Sequence, residues 1–379
     1  MTAANLSPEA LAGVLDACPG GALPTLSSTR QEWAPRLARG QAAEALPGLL
    51  ASLYTLCGGA HRLAARLAVA AARGQELIPT AEDRQLLRGD TLREHLRRMW
   101  LDWPRAWPLP GPAADVSALG RCPVLRDASA VDDSRPWIES QVLGMPVQDW
   151  LQGWAADPRG FAQRWCEQAQ TLPARWLQSV RPQAMEILAR PVPLALHVSR
   201  RELEHLAEHL RGDDGFALRP LWRGHIAETG PWTRLADRPG EGRECPYVNA
   251  FMRLASRVAD VARLAAPEGS RWLSLGAVAT APGEGMAWCE MARGLLIHWV
   301  RVEPLPAVPD APCRVADCRV LAPTEWNFHP FGVVARLLAA MPCSTSESRV
   351  HLLAAAFDPC VALRVQRCAP REMEGACTR

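Results

Sequence analysis

The chain has 379 residues, enough for one large or two medium domains around a sizeable core. Its 42 Arg (there is no Lys) nearly cancel its 40 acidic residues, which excludes the strong field of a nucleic-acid or membrane-surface binder. No stretch carries 18 consecutive apolar residues, so no membrane span is expected, and the start Met1-Thr2-Ala3-Ala4-Asn5 lacks the basic and apolar run of a signal peptide. The expected compartment is therefore the cytoplasm, where thiols stay reduced.

In chain order, residues 45–54 read as an apolar helix with Pro47 near its start. Gly58 and Gly59 break the pattern after Cys57, and residues 61–73 resume as a helix with Leu63, Leu67 and Ala70 on one face. Residues 92–103 predict another helix. The Pro- and Gly-rich stretch 104–123 is the clearest linker within what otherwise reads as one domain over 1–379. Residues 150–177 and 200–210 are amphipathic. Residues 248–265 repeat apolar positions at helical spacing, with Arg253, Arg257 and Asp260 between them. Two strand-like runs, 295–302 and 314–321, flank a Pro-rich turn and predict an antiparallel β hairpin near 295–321. Residues 331–341 return to helix. The expected fold class is mainly α with that small hairpin.

The twelve cysteines are scattered, with no close pair spaced for a zinc knuckle or a disulfide framework, and most read as small core residues. Two sit in suggestive contexts. Cys57 precedes a Gly-Gly turn into a helix. Cys360 follows Asp358-Pro359, which reads as a helix start with Asp as N-cap and Pro at the first helical position. A helix N-terminus favours the thiolate, the form that binds metals, so both thiols are expected to be acidified. Locally, each also fits a buried structural cysteine.

The two contexts match half-motifs. Leu56-Cys57-Gly58-Gly59-Ala60-His61 and Asp358-Pro359-Cys360-Val361-Ala362-Leu363 resemble the two ends of the four-cysteine cradle of nickel–iron hydrogenase large subunits. Each keeps its first cysteine and lacks its second: Ala60 and Leu363 stand in those places. Thr55 replaces the motif's Arg, Ala64 and Gln366 replace its His residues, and His61 lies three positions early. Glu290-Met291-Ala292-Arg293-Gly294-Leu295-Leu296-Ile297-His298 and Ala322-Pro323-Thr324-Glu325-Trp326-Asn327 resemble two further stretches of the same family, in the same order. Leu23-Pro24-Thr25-Leu26-Ser27-Ser28-Thr29-Arg30, Leu92-Arg93-Glu94-His95-Leu96, and Glu228-Thr229-Gly230 with Arg234 are similar to one branch, the HupK/HoxV-type hydrogenase accessory proteins. The likeness runs from about residue 23 to 366.

That resemblance implies a helical core like the large subunit and a non-catalytic role in hydrogenase assembly. Without the two bridging cysteines, and with Leu23-Pro24-Thr25 where the family carries a proton-donor Glu, no nickel and no hydrogen turnover are expected. It implies that Cys57 and Cys360 transiently hold an Fe(CN)2CO unit, with Arg293, Thr324 and Pro323 around its cyanides. The implied partners are the large-subunit precursor and the maturation proteins that build or deliver the iron unit. If 295–302 pairs with 314–321, Arg293 and Thr324 emerge side by side. A metal-free docking chaperone explains the lost ligands equally well. A remote alternative is a zinc hydrolase: His205-Leu206-Ala207-Glu208-His209 matches His-x-x-Glu-His, with Glu284 as a third ligand. Against it, Leu203, Leu206 and Leu210 form an apolar stripe that leaves both His on another side.

Overall fold

The computed structural model describes residues 12–75, 78–110, 115–237, 245–304 and 312–366. Helices surround two sheets. The elements used below are β1 (Val14–Ala17), β2 (Leu26–Ser28), α1 (Leu46–Leu53), α2 (Gly58–Ala72), α3 (Ala81–Arg97), α4 (Val147–Ala156), α5 (Pro158–Gln168), α6 (Leu172–Glu186), α7 (Arg200–Gly212) and α8 (Ala250–Ala265). They continue with β3 (Leu275–Ala281), β4 (Glu284–Met291), β5 (Gly294–Glu303), β6 (Arg314–Leu321), α9 (Pro323–Asn327), α10 (Val333–Ala340), α11 (Glu347–Phe357) and β7 (Ala362–Val365).

The expected hairpin exists: β5 pairs antiparallel with β6, Ile297 opposite Leu321. It is half of a larger sheet, for β3 and β4 precede it in a four-stranded antiparallel meander. The expectation of one hairpin is thus corrected to four strands, and a second sheet adds three more. Its order is β2-β1-β7, with β1 antiparallel to β2 and parallel to β7. Among the described residues, the first and last strands are therefore neighbours.

Strand β5 alternates between two cores, as a pleated strand must. Leu295, Ile297 and Trp299 face one cluster with Leu203, Leu206 and Leu210 of α7; Leu296, Val300 and Val302 face the main core. His298 shares the parity of Leu296 and Val300. Over that face lies α2, rich in buried Ala.

Helix α8 runs through the interior, with nearly every side chain buried. Three of its four charged side chains are fastened to surrounding segments. Arg253 pairs with Glu228 at 2.9 Å and Arg257 with Asp358 at 3.2 Å. Asp260 accepts from Arg234 at 2.6 Å and from His95 at 2.8 Å. Buried charges persist only when paired, and here each pair ties a loop or helix to α8. The stretch expected as a linker is packed where it is described: Leu119 and Cys122 are buried within or beside short helices. No helix among the described residues is long and apolar enough to cross a membrane.

Candidate functional site

Cys57 is the N-cap residue of α2; Gly58 and Gly59, expected to break the chain before a helix at residue 61, are instead the first two residues of that helix. Cys360 is not at a helix start. Asp358 ends α11 in the left-handed region, φ 57°, and the chain passes through Cys360 into β7. The αL turn is stabilised from outside: Asp358 accepts from Arg98 Nε at 2.8 Å and Arg257 Nη1 at 3.2 Å, and lies 3.9 Å from Arg293 Nε. Arg98 also donates to the Pro359 carbonyl at 3.0 Å. Burial alone would raise the Asp358 pKa; the three guanidinium groups prevail and bring it down to about 2.

The two cysteines, from opposite ends of the chain, line one cavity of about 100 Å³. Arg30, His61, Arg293, Pro323 and Thr324 line it too. It opens beside a larger cleft of about 530 Å³ walled by Glu94, Arg98 and Asp102, which shares Leu56, Arg293 and Cys360 with it. Neither Ala60 nor Leu363, the places of the absent cysteines, is among the lining residues. Ala60 is buried in the core and Leu363 pairs with Leu15 in the β1–β7 ladder.

Around Cys360 the polar groups converge. Thr324 Oγ1 donates to its Sγ at 3.2 Å and accepts from its backbone N–H at 3.3 Å. Arg30 Nη1 donates to the same sulfur at 3.3 Å. Arg293 sits in the turn between β4 and β5, made possible by Gly294 at φ 127° against Thr229. Its Nη1 is paired with Glu94, while its buried Nε has no hydrogen-bond partner. Burial works against the Arg293 cation, but Glu94 and Asp358 outweigh it and raise its pKa. The expected acidification of Cys57 is contradicted: burial, then Glu94, push its thiol well above the ordinary value, and Arg293 only partly opposes them. The N-cap position is outweighed by desolvation.

Several contributors were not legible as site residues. His61 Nδ1 lies 3.0 Å from His298 Nε2, both rings are buried, and Tyr54 stacks on His61 at 4.1 Å. Burial lowers the His298 pKa to about 3, so the pair is neutral and one ring donates to the other. Asn327 clamps α9 by accepting from the Thr229 N–H at 2.9 Å and donating to the Thr229 carbonyl at 2.8 Å, which places Thr324. Arg30 and Glu94 gave no motif of ligand spacing. The one signal was their presence in stretches similar to the accessory branch.

The zinc arrangement does not assemble. Glu284 is held by Arg211 at 3.0 and 2.6 Å, exposed His205 pairs with its own Glu208 at 3.2 Å, and His209 stacks on Phe216. Among the described residues, no three His, Cys, Asp or Glu side chains are grouped to hold a metal ion. Nine described cysteines are free, whereas Cys18 is disulfide-bonded, which departs from the expectation of uniformly reduced thiols.

Two sheets packed among helices, with Cys57 and Cys360 brought to one polar pocket, have a counterpart among solved hydrogenases. The Ni–Fe–Se hydrogenase of Desulfovibrio vulgaris Hildenborough in the reduced state aligns with 88% of this chain and 92% of its own at a TM-score of 0.52 and 15% identity. No family model matches the chain. Full-length relatives do: it is 38% identical over 376 residues to the hydrogenase expression/formation protein HoxV of Cupriavidus necator, spanning 94% of this chain and 96% of HoxV. It is 30% identical over 363 residues to the hydrogenase expression/formation protein HupK of Rhizobium leguminosarum bv. viciae, spanning 90% and 91%. The chain belongs to the HoxV/HupK family of hydrogenase expression/formation proteins.

Proposed function

We propose that the chain is a non-catalytic assembly factor for a nickel–iron hydrogenase, working in the cytoplasm, that holds an Fe(CN)2CO unit between Cys57 and Cys360 and yields it to the large-subunit precursor. The observation that carries this reading is the meeting of the two half-motif cysteines on one cavity with Arg293 and Thr324.

The donor set fits such cargo. Two sulfurs supply too few ligands for a bare ion, and no third metal-binding side chain is grouped with them among the described residues. A unit that brings its own diatomic ligands needs only those two. The cavity is of the order of a few water volumes, suited to a small complex and too small for a nucleotide. Buried Arg293 Nε makes no hydrogen bond and faces the Asp358 carboxylate only at 3.9 Å, which leaves it free to donate to an anionic ligand in the cavity that Arg293 lines. Arg98 and Glu94 on the adjoining cleft give the mouth both signs of charge, where maturation proteins delivering or receiving the unit would approach.

The test is infrared spectroscopy of protein co-expressed anaerobically with the maturation proteins. Cyanide and carbonyl stretching bands, lost in Cys57→Ala and Cys360→Ala, are the expected result. Their absence from the wild type, or full support of hydrogenase maturation by both variants, overturns the carrier reading in favour of a metal-free docking chaperone.

A further inference from the structure

The two sulfurs are not equivalent. Cys360 Sγ receives two hydrogen bonds, from Thr324 and from Arg30, whereas Cys57 Sγ receives none among the described residues. We propose that Arg30 is a positioning residue that makes Cys360 the fixed anchor of the pair and leaves Cys57 as the exchangeable ligand. This rests on the carrier reading above and adds to it a direction of release.

Arg30 is built into place. Its Nε donates to Glu325 Oε1 at 2.7 Å and its Nη1 reaches the Ala12 carbonyl at 3.3 Å, with the side chain only 12% exposed. The three-stranded sheet explains the contact between residues 330 positions apart. Because β1 is the middle strand, the residue just past β2 and the residue just before β7 arrive at the same end of it. Gly13, at φ +75°, leaves the space: a Cβ there would stand 2.8 Å from Arg30 Cα and Cγ. A sulfur gripped by two donors is fixed in orientation by hydrogen bonds as well as packing, while a sulfur with none is held by packing alone. Outer-shell partners that orient a metal ligand are typically worth about 10–100-fold in metal affinity, and here Arg30 would act by orientation, since a hydrogen bond to sulfur does not raise its basicity. A carrier with one gripped and one loose sulfur opens on the loose side first, so an incoming thiolate displaces Cys57 while Cys360 keeps hold.

Cadmium, a thiolate-seeking probe read by its sulfur-to-metal charge-transfer absorption, tests this on the full chain. Arg30→Gln is expected to weaken cadmium binding about ten-fold or more, with Arg30→Lys recovering part and Glu325→Gln, which loosens Arg30 without removing it, giving an intermediate loss. The discriminating readout is the background dependence: Arg30→Gln weakens the residual one-sulfur complex of Cys57→Ser and leaves that of Cys360→Ser unchanged. Binding by Arg30→Gln within two-fold of wild type, or equal effects in both backgrounds, overturns the inference and leaves the carrier reading standing. Cadmium titrating the Cys57→Ser/Cys360→Ser double variant as tightly as wild type overturns the carrier reading, and the inference with it.

Discussion

The buried His61–His298 pair makes acid stability a test of the site's interior. Burial brings His298 to about pKa 3, against about 6.5 in an unfolded chain. Below pH 6.5 the unfolded chain gains a proton that the folded one refuses. The pair's contribution is therefore complete above pH 6.5 and is lost as pH falls toward 3, at up to about 1.4 kcal/mol per pH unit for His298. Between pH 6.5 and 5.0 that is about 2 kcal/mol. His61, lowered by burial and by His298, Arg30 and Arg293, acts in the same direction. The perturbation is His298→Gln, whose amide keeps a hydrogen bond to His61 and does not titrate. At pH 7 the variant costs about 1–3 kcal/mol through the repacking of a fully buried ring position. From pH 6.5 to 5.0 it loses about 2 kcal/mol less than the wild type. Urea unfolding followed by Trp fluorescence, repeated at half-unit steps of pH, measures both. Parallel stability curves for the two proteins would refute the assignment of a neutral, proton-refusing pair.

Two further substitutions probe what holds Cys360. Asp358→Asn tolerates the left-handed turn but leaves Arg98, Arg257 and Arg293 without their shared carboxylate; a destabilisation of about 3–5 kcal/mol is expected in denaturant unfolding, and a loss under 1 kcal/mol would contradict the role given to the triple ion pair. Gly13→Ala adds a strained φ and a collision with Arg30, together about 2–4 kcal/mol, and should weaken cadmium binding as Arg30→Gln does; unchanged stability would mean that the sheet end is looser than its geometry.

What could be read from the sequence, and what could not, divides along physical lines. Helices with a one-sided apolar repeat, such as α7 over residues 200–212, were legible because an amphipathic stripe is a local signal. Strands β1, β2 and β7 were not, because three or four residues carry too little period to register, and the pairing of β1 with β7 joins positions some 350 residues apart. Strand β4 escaped for another reason: it is buried on both faces, so its pattern does not alternate. The Asp358-Pro359 pair misled, since the same dipeptide that opens helices here closes one, the αL turn being enforced by three Arg from distant segments. Cys57, Cys360, Arg293 and Thr324 were named from motif likeness. That they share a cavity is a matter of topology, and Arg30 and His61 come to it, and Glu94 to the adjoining cleft, only through folding.

The way the cavity is held bears on how a carrier of this design would work. Small metal domains often take their fold from the ion, so that the empty protein unravels. Here the walls are tied by groups that need no ion: Asp358 gathers three Arg, Asn327 fastens α9 to the Thr229 segment, and β7 completes a sheet with β1. The two lost cysteine positions have been absorbed into packing, Ala60 in the core and Leu363 in the ladder, so they leave no gap that metal must fill. The empty fold thereby stands without an ion. On the proposed carrier reading, cargo would add to stability only its own binding free energy, and its release would be governed by the two sulfur contacts and the donors behind them.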